Sequence, residues 1–259
     1  LSDGWVQNVD YDMNYYLAGA YRKNGQPAEA KKVYDAILGL KPEEKDAYFL
    51  RGSAELELGD YESAKADFDK AISMDPKNYD RLIEIYEALA DYGYREVGQE
   101  YLQNVLNTDK KLDAYDSGRI YYYLGDYQKA YLALEEAKGK GGVDSYLYLG
   151  KAYAATGDYN YASSVYSNYL SKQGPDAEIY NQLGLCELAK KDYQKALEAF
   201  QAGKQIEGNS LMQTLSFNEI VAYEYLQDYQ KAAVLLKAYL QNYPDDQAAI
   251  REQQFLSTR

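Results

Sequence analysis

The sequence predicts an all-α fold, an α-solenoid built of antiparallel helix pairs. Three observations support this prediction: a short turn motif that recurs at nearly constant spacing, small residues at fixed distances from it, and apolar residues at helical spacing between the turns. Self-similarity with a period of about 20 to 50 residues is typical of proteins in which one helical hairpin stacks on the next.

The turn motif is the tripeptide Gly-Asp-Tyr. Full copies begin at Gly59, Gly125 and Gly157, and near-copies begin at Lys191 and Gln227. With two weaker versions, the seven turns start at residues 25, 59, 93, 125, 157, 191 and 227, which are 34, 34, 32, 32, 34 and 36 residues apart. A glycine here can adopt the left-handed conformation that ends a helix, and the following aspartate can cap the next helix. Each turn is therefore predicted to join the two helices of a hairpin.

Small residues recur at two places in phase with the turns. Seven residues before the turn, five hairpins carry a small residue: Ala18, Gly52, Gly118, Gly150 and Gly184. Five residues after the turn, six hairpins carry alanine: Ala30, Ala64, Ala130, Ala162, Ala196 and Ala232. Because a larger side chain would push the helices apart, these positions predict where the two helices of a hairpin approach closely.

These features resemble the tetratricopeptide repeat family, in which an aromatic residue also lies near each hairpin's end and a proline closes it. The resemblance covers residues 11–246 and implies a right-handed superhelix of seven hairpins, with the ranges 11–44, 45–78, 79–110, 111–142, 143–176, 177–210 and 211–246. Two hairpins depart from the pattern. The third has Tyr86 and Gly98 at the small positions, and the seventh has Ile220.

The two chain ends are predicted to cover the terminal hairpins. Residues 247–259 mix apolar and polar residues and are expected to form a C-terminal capping helix, because the last hairpin of a solenoid has no neighbour. Residues 1–10 form an N-terminal extension, in which Trp5 and Val6 are expected to cover the first hairpin. The chain starts at Leu1 and not at Met, which slightly favours an exported or lipid-anchored protein over a cytoplasmic one.

The composition excludes several classes of function. Lys and Arg number 28 against 41 Asp and Glu, a formal charge of −13, so nucleic acid and anionic lipid are not expected partners. No apolar run approaches the roughly 18 residues of a membrane span. The chain has no histidine and one cysteine, Cys186, which removes the usual zinc sites and the nucleophile–histidine pairs. We therefore expect no metal, no cofactor, no catalytic residue and no enzymatic activity.

The resemblance implies which residues face a concave groove. In that family the first helix of each pair lines the groove, at positions 10, 6, 3 and 2 residues before each turn. In the N-terminal half these positions include an acidic stretch of Glu57, Glu87 and Asp91. In the later hairpins they are aromatic, basic or apolar, and the candidate site residues are Tyr115, Arg119, Tyr122, Tyr123, Lys151, Leu185, Leu188, Phe217, Val221 and Tyr225.

The groove residues predict a scaffold for protein–protein interaction that binds a peptide or helical segment. The tyrosine cluster, together with Arg119 and Lys151, is expected to fix the orientation of the segment, and the apolar residues are expected to hold it. The alternative is a carbohydrate or small ligand that stacks on groove tyrosines, since the chain contains 32 tyrosines. A further possibility is that curvature buries these side chains against neighbouring helices, which would leave no binding surface.

Overall fold

The computed structural model describes residues 11–137 and 139–258, and over these ranges the protein is entirely helical, with no strand. The helices are α1 (Tyr11–Lys23), α2 (Pro27–Leu40), α3 (Lys45–Glu57), α4 (Tyr61–Met74), α5 (Tyr79–Asp91), α6 (Arg95–Thr108), α7 (Ala114–Tyr123), α8 (Tyr127–Glu136), α9 (Val143–Ala155), α10 (Tyr159–Lys172), α11 (Ala177–Ala189), α12 (Tyr193–Lys204), α13 (Met212–Tyr225), α14 (Tyr229–Asn242) and α15 (Gln247–Leu256). The predicted all-α fold is confirmed. Trp5 and Val6 lie outside the described residues.

The helices belong to two compact units, one ending at Lys111 and the other beginning at Leu112. Within each unit an odd-numbered helix packs against the next even-numbered one to form a hairpin, and the even-numbered helix packs against the following hairpin. We call the odd-numbered helices first helices. In the C-terminal unit the first helices α7, α9 and α11 also contact one another in sequence, and α15 packs on α14.

The turns have the backbone conformation that the sequence predicts. Gly59 and Gly157 have φ values of 77° and 84°, in the left-handed region where glycine carries no steric penalty. Lys191 and Gln227 adopt the same conformation, with φ values of 65° and 62°, although neither is glycine. The fold therefore imposes the turn geometry even where the residue type opposes it.

Aspartates of the turns cap the second helices, as predicted. The Asp126 carboxylate accepts a hydrogen bond of 3.2 Å from the backbone N–H of Lys129. The same bond joins Asp60 to Ser63, Asp158 to Tyr161, Asp192 to Lys195 and Asp228 to Lys231. The pKa of Asp126 lies below its usual value, chiefly because the Lys129 side chain also donates a hydrogen bond to its carboxylate.

In four hairpins a large side chain of the second helix packs against a glycine of the first helix. A Cβ on Gly52 would lie within 3.0 Å of the Phe68 ring, and a Cβ on Gly184 would overlap the ring of Phe200. The same relation holds between Gly118 and Leu134 and between Gly150 and Tyr166. Because the glycine leaves room on the first helix, the large residue of the second helix is fully buried between the two.

Candidate functional site

The candidate residues of the C-terminal unit lie on its first helices, α7, α9, α11 and α13, and we call the surface they form the first-helix face. Its apolar members are only partly buried, and two of them, Leu188 and Phe217, pack against the buried cores beneath them. Leu185 is 39% exposed and Tyr225 is 54% exposed, while Leu188, Phe217 and Val221 are half-buried. The face therefore offers a partly exposed apolar row on α11 and α13.

Three tyrosines form a compact aromatic cluster on α7 and α9. The ring of Tyr122 meets Tyr123 and Tyr148 edge to face, with centroids 5.5 and 5.6 Å away. The hydroxyl oxygens of Tyr123 and Tyr148 are 3.0 Å apart and share a hydrogen bond. Burial raises the pKa of Tyr122 above its usual value. Tyr148 is absent from the sequence-predicted set because it lies one residue beyond the groove position of its helix.

Arg119 is predicted to present its charge to a bound segment, but the structure turns it inward. The side chain is 8% exposed, and its guanidinium lies 2.5 Å from the Asp116 carboxylate and 4.4 Å from the centre of the Tyr115 ring. The aspartate one turn earlier on α7 neutralises the charge, and the tyrosine ring covers it. Arg119 therefore supports Tyr115 from below the surface.

Lys151 is also paired within the protein. Its ammonium nitrogen lies 3.5 Å from a carboxylate oxygen of Glu178, which links α9 to α11. Both side chains are about one-third exposed, so this pair lies at the edge of the first-helix face. Another polar link joins the next two first helices, where Asn218 donates a 2.9 Å hydrogen bond to the buried side chain of Asn181.

The C-terminal end of the face is acidic. Near the end of α13, Glu224 is half-buried, and the charged group that acts most on it is Glu252 of α15. Burial, together with the Glu252 charge, raises the pKa of Glu224 to about 7. The next residue, Tyr225, stacks its ring on Tyr193 of α12 with the centroids 4.9 Å apart.

A membrane-spanning helix and a metal site are both absent from the described ranges. No helix there is long and apolar enough to cross a membrane. No group of three or more Cys, Asp or Glu side chains there could hold a metal ion, and the sequence contains no histidine.

Comparison of the sequence with models of known protein families supports the repeated hairpins. One sequence model described as a tetratricopeptide repeat matches residues 15–79 and 147–210, and a second one matches residues 217–246. Together the matches cover more than half of the chain. The chain belongs to the tetratricopeptide repeat family. Tetratricopeptide repeats generally act as scaffolds for protein–protein interaction.

One curated protein with tetratricopeptide repeats is similar over most of this chain. Tetratricopeptide repeat protein 21B of Xenopus laevis is 27% identical over 233 residues, which is 88% of this chain and 15% of that protein. The chain spans between 8% and 18% of the length of the curated relatives it matches.

Two solved structures share the fold. A tetratricopeptide repeat protein from Parabacteroides merdae superposes with a TM-score of 0.56 and 16% identity, covering 84% of this chain and 86% of that one. Yeast Tom70 superposes with a TM-score of 0.63 and 16% identity, covering 93% of this chain and 55% of that one. At this identity the likeness concerns the tetratricopeptide architecture alone.

Proposed function

We propose that the C-terminal unit binds a peptide or helical segment of another protein in a groove along α7, α9, α11 and α13. The observation behind this proposal is the partly exposed apolar row of the first-helix face. Leu185 is 39% exposed, and Leu188 is half-buried at the edge of the core, so both keep apolar surface that a partner can cover. Exposed apolar rows bordered by polar residues are typical of protein interaction sites.

The spacing of the row suits a segment that lies across several helices. Leu185 and Leu188 are three residues apart on α11, and Phe217 and Val221 are four apart on α13, so each pair lies on one side of its helix. A partner helix with apolar residues at matching intervals would cover both pairs at once. Burial of apolar surface contributes about 25 cal/mol per Å², so a row of this kind can supply much of the binding free energy.

The tyrosine cluster favours a protein segment over a carbohydrate. Sugar rings bind by stacking on an open aromatic face, whereas Tyr122, Tyr123 and Tyr148 present edges to one another and are half-buried. The cluster therefore supports the neighbouring part of the face and offers no flat platform of its own. The cluster therefore favours a peptide over a carbohydrate as the ligand.

A peptide-display experiment tests the proposal. A phage-displayed library of random 12-residue peptides is panned on the full chain, and the enriched peptides are synthesised and titrated by fluorescence anisotropy. We expect the double variant Leu185→Asp/Leu188→Asp to weaken binding at least tenfold, because it places two charges in the apolar row. The matched control is Leu132→Asp, whose side chain is 60% exposed on the second helix α8 and should change affinity less than twofold.

Two results would contradict the proposal. One is a library that yields no peptide above background. The other is a set of peptides whose affinity falls equally in the double variant and in Leu132→Asp. Such a result would indicate that added negative charge weakens binding wherever it is placed. Circular dichroism of each variant confirms that the helical fold is intact before affinities are compared.

A further inference from the structure

We propose that residues 1–10 fold back on α1 and cover an exposed apolar stripe of that helix with the side chains of Trp5 and Val6. This inference concerns the N-terminal unit and does not rest on the function proposed for the C-terminal one. It follows from the stripe itself, from what covers the same positions in later hairpins, and from the residues that directly precede α1 in the chain.

One side of α1 is apolar and open to solvent. Met13 is 65% exposed, Tyr16 is 79% exposed and Leu17 is 38% exposed. With the exposed Ala20 they follow the spacing of a helix face, because the later three come three, four and seven residues after Met13. We call these four residues the α1 stripe. A contiguous exposed apolar row usually marks a surface on which something packs.

The α1 stripe occupies the positions by which a later hairpin stacks on the one before it. Met13 lies twelve residues before its turn, and the corresponding residue of α3 is Ala47. Ala47 is fully buried in a cluster composed mainly of α2 side chains. Leu50, which corresponds to Tyr16, packs against the same cluster. In the second hairpin these positions are therefore covered by the preceding second helix.

The C-terminal unit repeats this arrangement. Twelve residues before their turns, α11 carries Ile179 and α13 carries Leu215, and both side chains are fully buried. Ile179 belongs to a cluster with residues of α10, and Leu215 belongs to a cluster with residues of α12. Within the described ranges no second helix precedes α1, so Met13 has no such cover there.

The last described helix differs from α1 in the polarity of its outer side. α15 packs on α14 through the buried residues Ala249 and Leu256, whereas its exposed residues include Gln247, Arg251 and Gln254. A terminal element of a stacked array needs a polar outer side, because no neighbour covers it. The α1 stripe is apolar instead, which indicates that another part of the protein packs on it.

The ten residues before α1 suit this place by composition and by length. They include the adjacent apolar residues Trp5 and Val6, and they end where α1 begins. Residues 7–10 have the sequence Gln-Asn-Val-Asp, which is long enough to reverse the chain and contains two residue types common in turns. A reversal there returns Trp5 to the first turns of α1, where Met13 and Tyr16 lie.

A tryptophan matches the size of the α1 stripe better than a second copy of the chain does. Met13 and Tyr16 are separated by about 4.5 Å along the helix axis. One tryptophan side chain buries about 150–250 Å² and can cover both. A stable interface between two proteins uses about 20–30 residues on each side. The four residues of the stripe are far fewer, which favours a short segment of the same chain.

Fluorescence of the full chain tests the proposal, because Trp5 is its only tryptophan. Tryptophan is excited selectively, and the emission maximum and the acrylamide quenching constant are measured in buffer and in urea over a wide range of protein concentration. The test variant is Met13→Glu/Tyr16→Glu. The matched control, Leu58→Glu/Tyr92→Glu, places the same charges at exposed apolar positions directly after α3 and α5. Circular dichroism confirms that both variants keep their helices.

We expect the wild type and the control to emit at shorter wavelength than the unfolded chain, and to be quenched less, at every concentration. Met13→Glu/Tyr16→Glu should shift the emission to longer wavelength and raise the quenching constant most of the way to its value in urea, because charges in the α1 stripe oppose burial of the indole. Trp5→Ala should lower the melting temperature by about 2–4 °C through loss of the apolar contact.

Three results would overturn the inference. Emission and quenching like those of the unfolded chain at every concentration would leave the α1 stripe to a different molecule. Shielding of Trp5 that appears only at high concentration, with a doubled mass in analytical ultracentrifugation, would assign the stripe to a second copy. Shielding that persists in Met13→Glu/Tyr16→Glu would place Trp5 on another surface. None of these results bears on peptide binding by the C-terminal unit.

Discussion

The ring of Tyr86 lies against Gly98, so that a Cβ on Gly98 would be 2.9 Å from Cδ2 of the ring. In four other hairpins the glycine is on the first helix and the large residue is on the second. The third hairpin reverses this arrangement, with the ring on α5 and the glycine on α6. Tyr86, which is larger than the usual residue at its position, is therefore accommodated by Gly98, which is smaller than the usual alanine.

The reversed pair predicts a strong effect of Gly98→Ala. The added methyl group must displace the Tyr86 ring or the α5 backbone, which we expect to cost about 1–3 kcal/mol of unfolding free energy. In a Tyr86→Ala background the ring is gone and only the backbone contacts of residue 86, at 3.2 and 3.3 Å, remain, so the same substitution should cost less. Urea unfolding followed by circular dichroism measures both.

The control is Gly19→Ala on α1, where nothing lies within 4 Å of the new Cβ and a gain of about 0.5–1 kcal/mol in unfolding free energy is expected. Equal costs of Gly98→Ala in both backgrounds would refute the compensation.

The left-handed residues Lys191 and Gln227 predict stabilising substitutions. Replacing either with glycine removes a steric penalty of about 1–2 kcal/mol, partly offset by the greater freedom of glycine in the unfolded chain. We expect a net gain of about 0.5–1 kcal/mol. The reverse change, Gly157→Lys, should destabilise by a similar amount. A melting temperature that falls in Lys191→Gly and Gln227→Gly would contradict the turn geometry.

The cap in the fifth hairpin predicts a difference between two substitutions of Asp158. Its carboxylate accepts a 3.1 Å hydrogen bond from the Tyr161 backbone N–H. Alanine cannot accept this bond and should lower the unfolding free energy by about 1 kcal/mol, whereas asparagine keeps an acceptor and should change it much less. Thermal melts of the two variants measure the difference. A similar loss for both would show that charge, and not the hydrogen bond, stabilises this helix end.

The raised pKa of Glu224 predicts how stability depends on pH in the absence of a partner. The pKa of Glu224 is about 7 in the folded protein and near 4.3 in an unfolded chain, so between these values the folded state holds more protons. Stability contributed by this group is therefore present below about pH 4 and falls as pH rises through 7. Glu224→Gln should flatten the decline of the urea midpoint between pH 5 and pH 8. The control Glu198→Gln, on the exposed side of α12, should retain it.

The sequence predicts the local parts of this fold well, because a turn and a cap depend on neighbouring residues. Gly59 and Asp60 indicate a left-handed turn and a capped helix without knowledge of the rest of the chain. Tyr86 and Gly98 are visible in the sequence only as two separate exceptions, since their compensation requires the contact between α5 and α6. Even so, a hairpin with the large residue on its first helix and the glycine on its second can be recognised in other repeat sequences.

The candidate site is less predictable because it depends on how each helix is rotated. The repeat pattern of the family places Arg119 in the groove. Asp116, three residues earlier on the same helix, nevertheless favours an ion pair with Arg119 within the protein. Tyr148 joins the cluster through a hydroxyl contact with Tyr123 on another helix, which no spacing along the chain reveals. The effect of the Glu252 charge on Glu224 likewise acts between two helices that are separated in the sequence by a third.

The match between a large side chain and a glycine is contained within single hairpins, as in Gly52 with Phe68 and Gly184 with Phe200. A duplicated or transplanted hairpin therefore carries both halves of its internal fit to the new location. Genetic exchange can lengthen, shorten or reorder such an array without repairing the interior of each copy, and only the surfaces between copies must adapt.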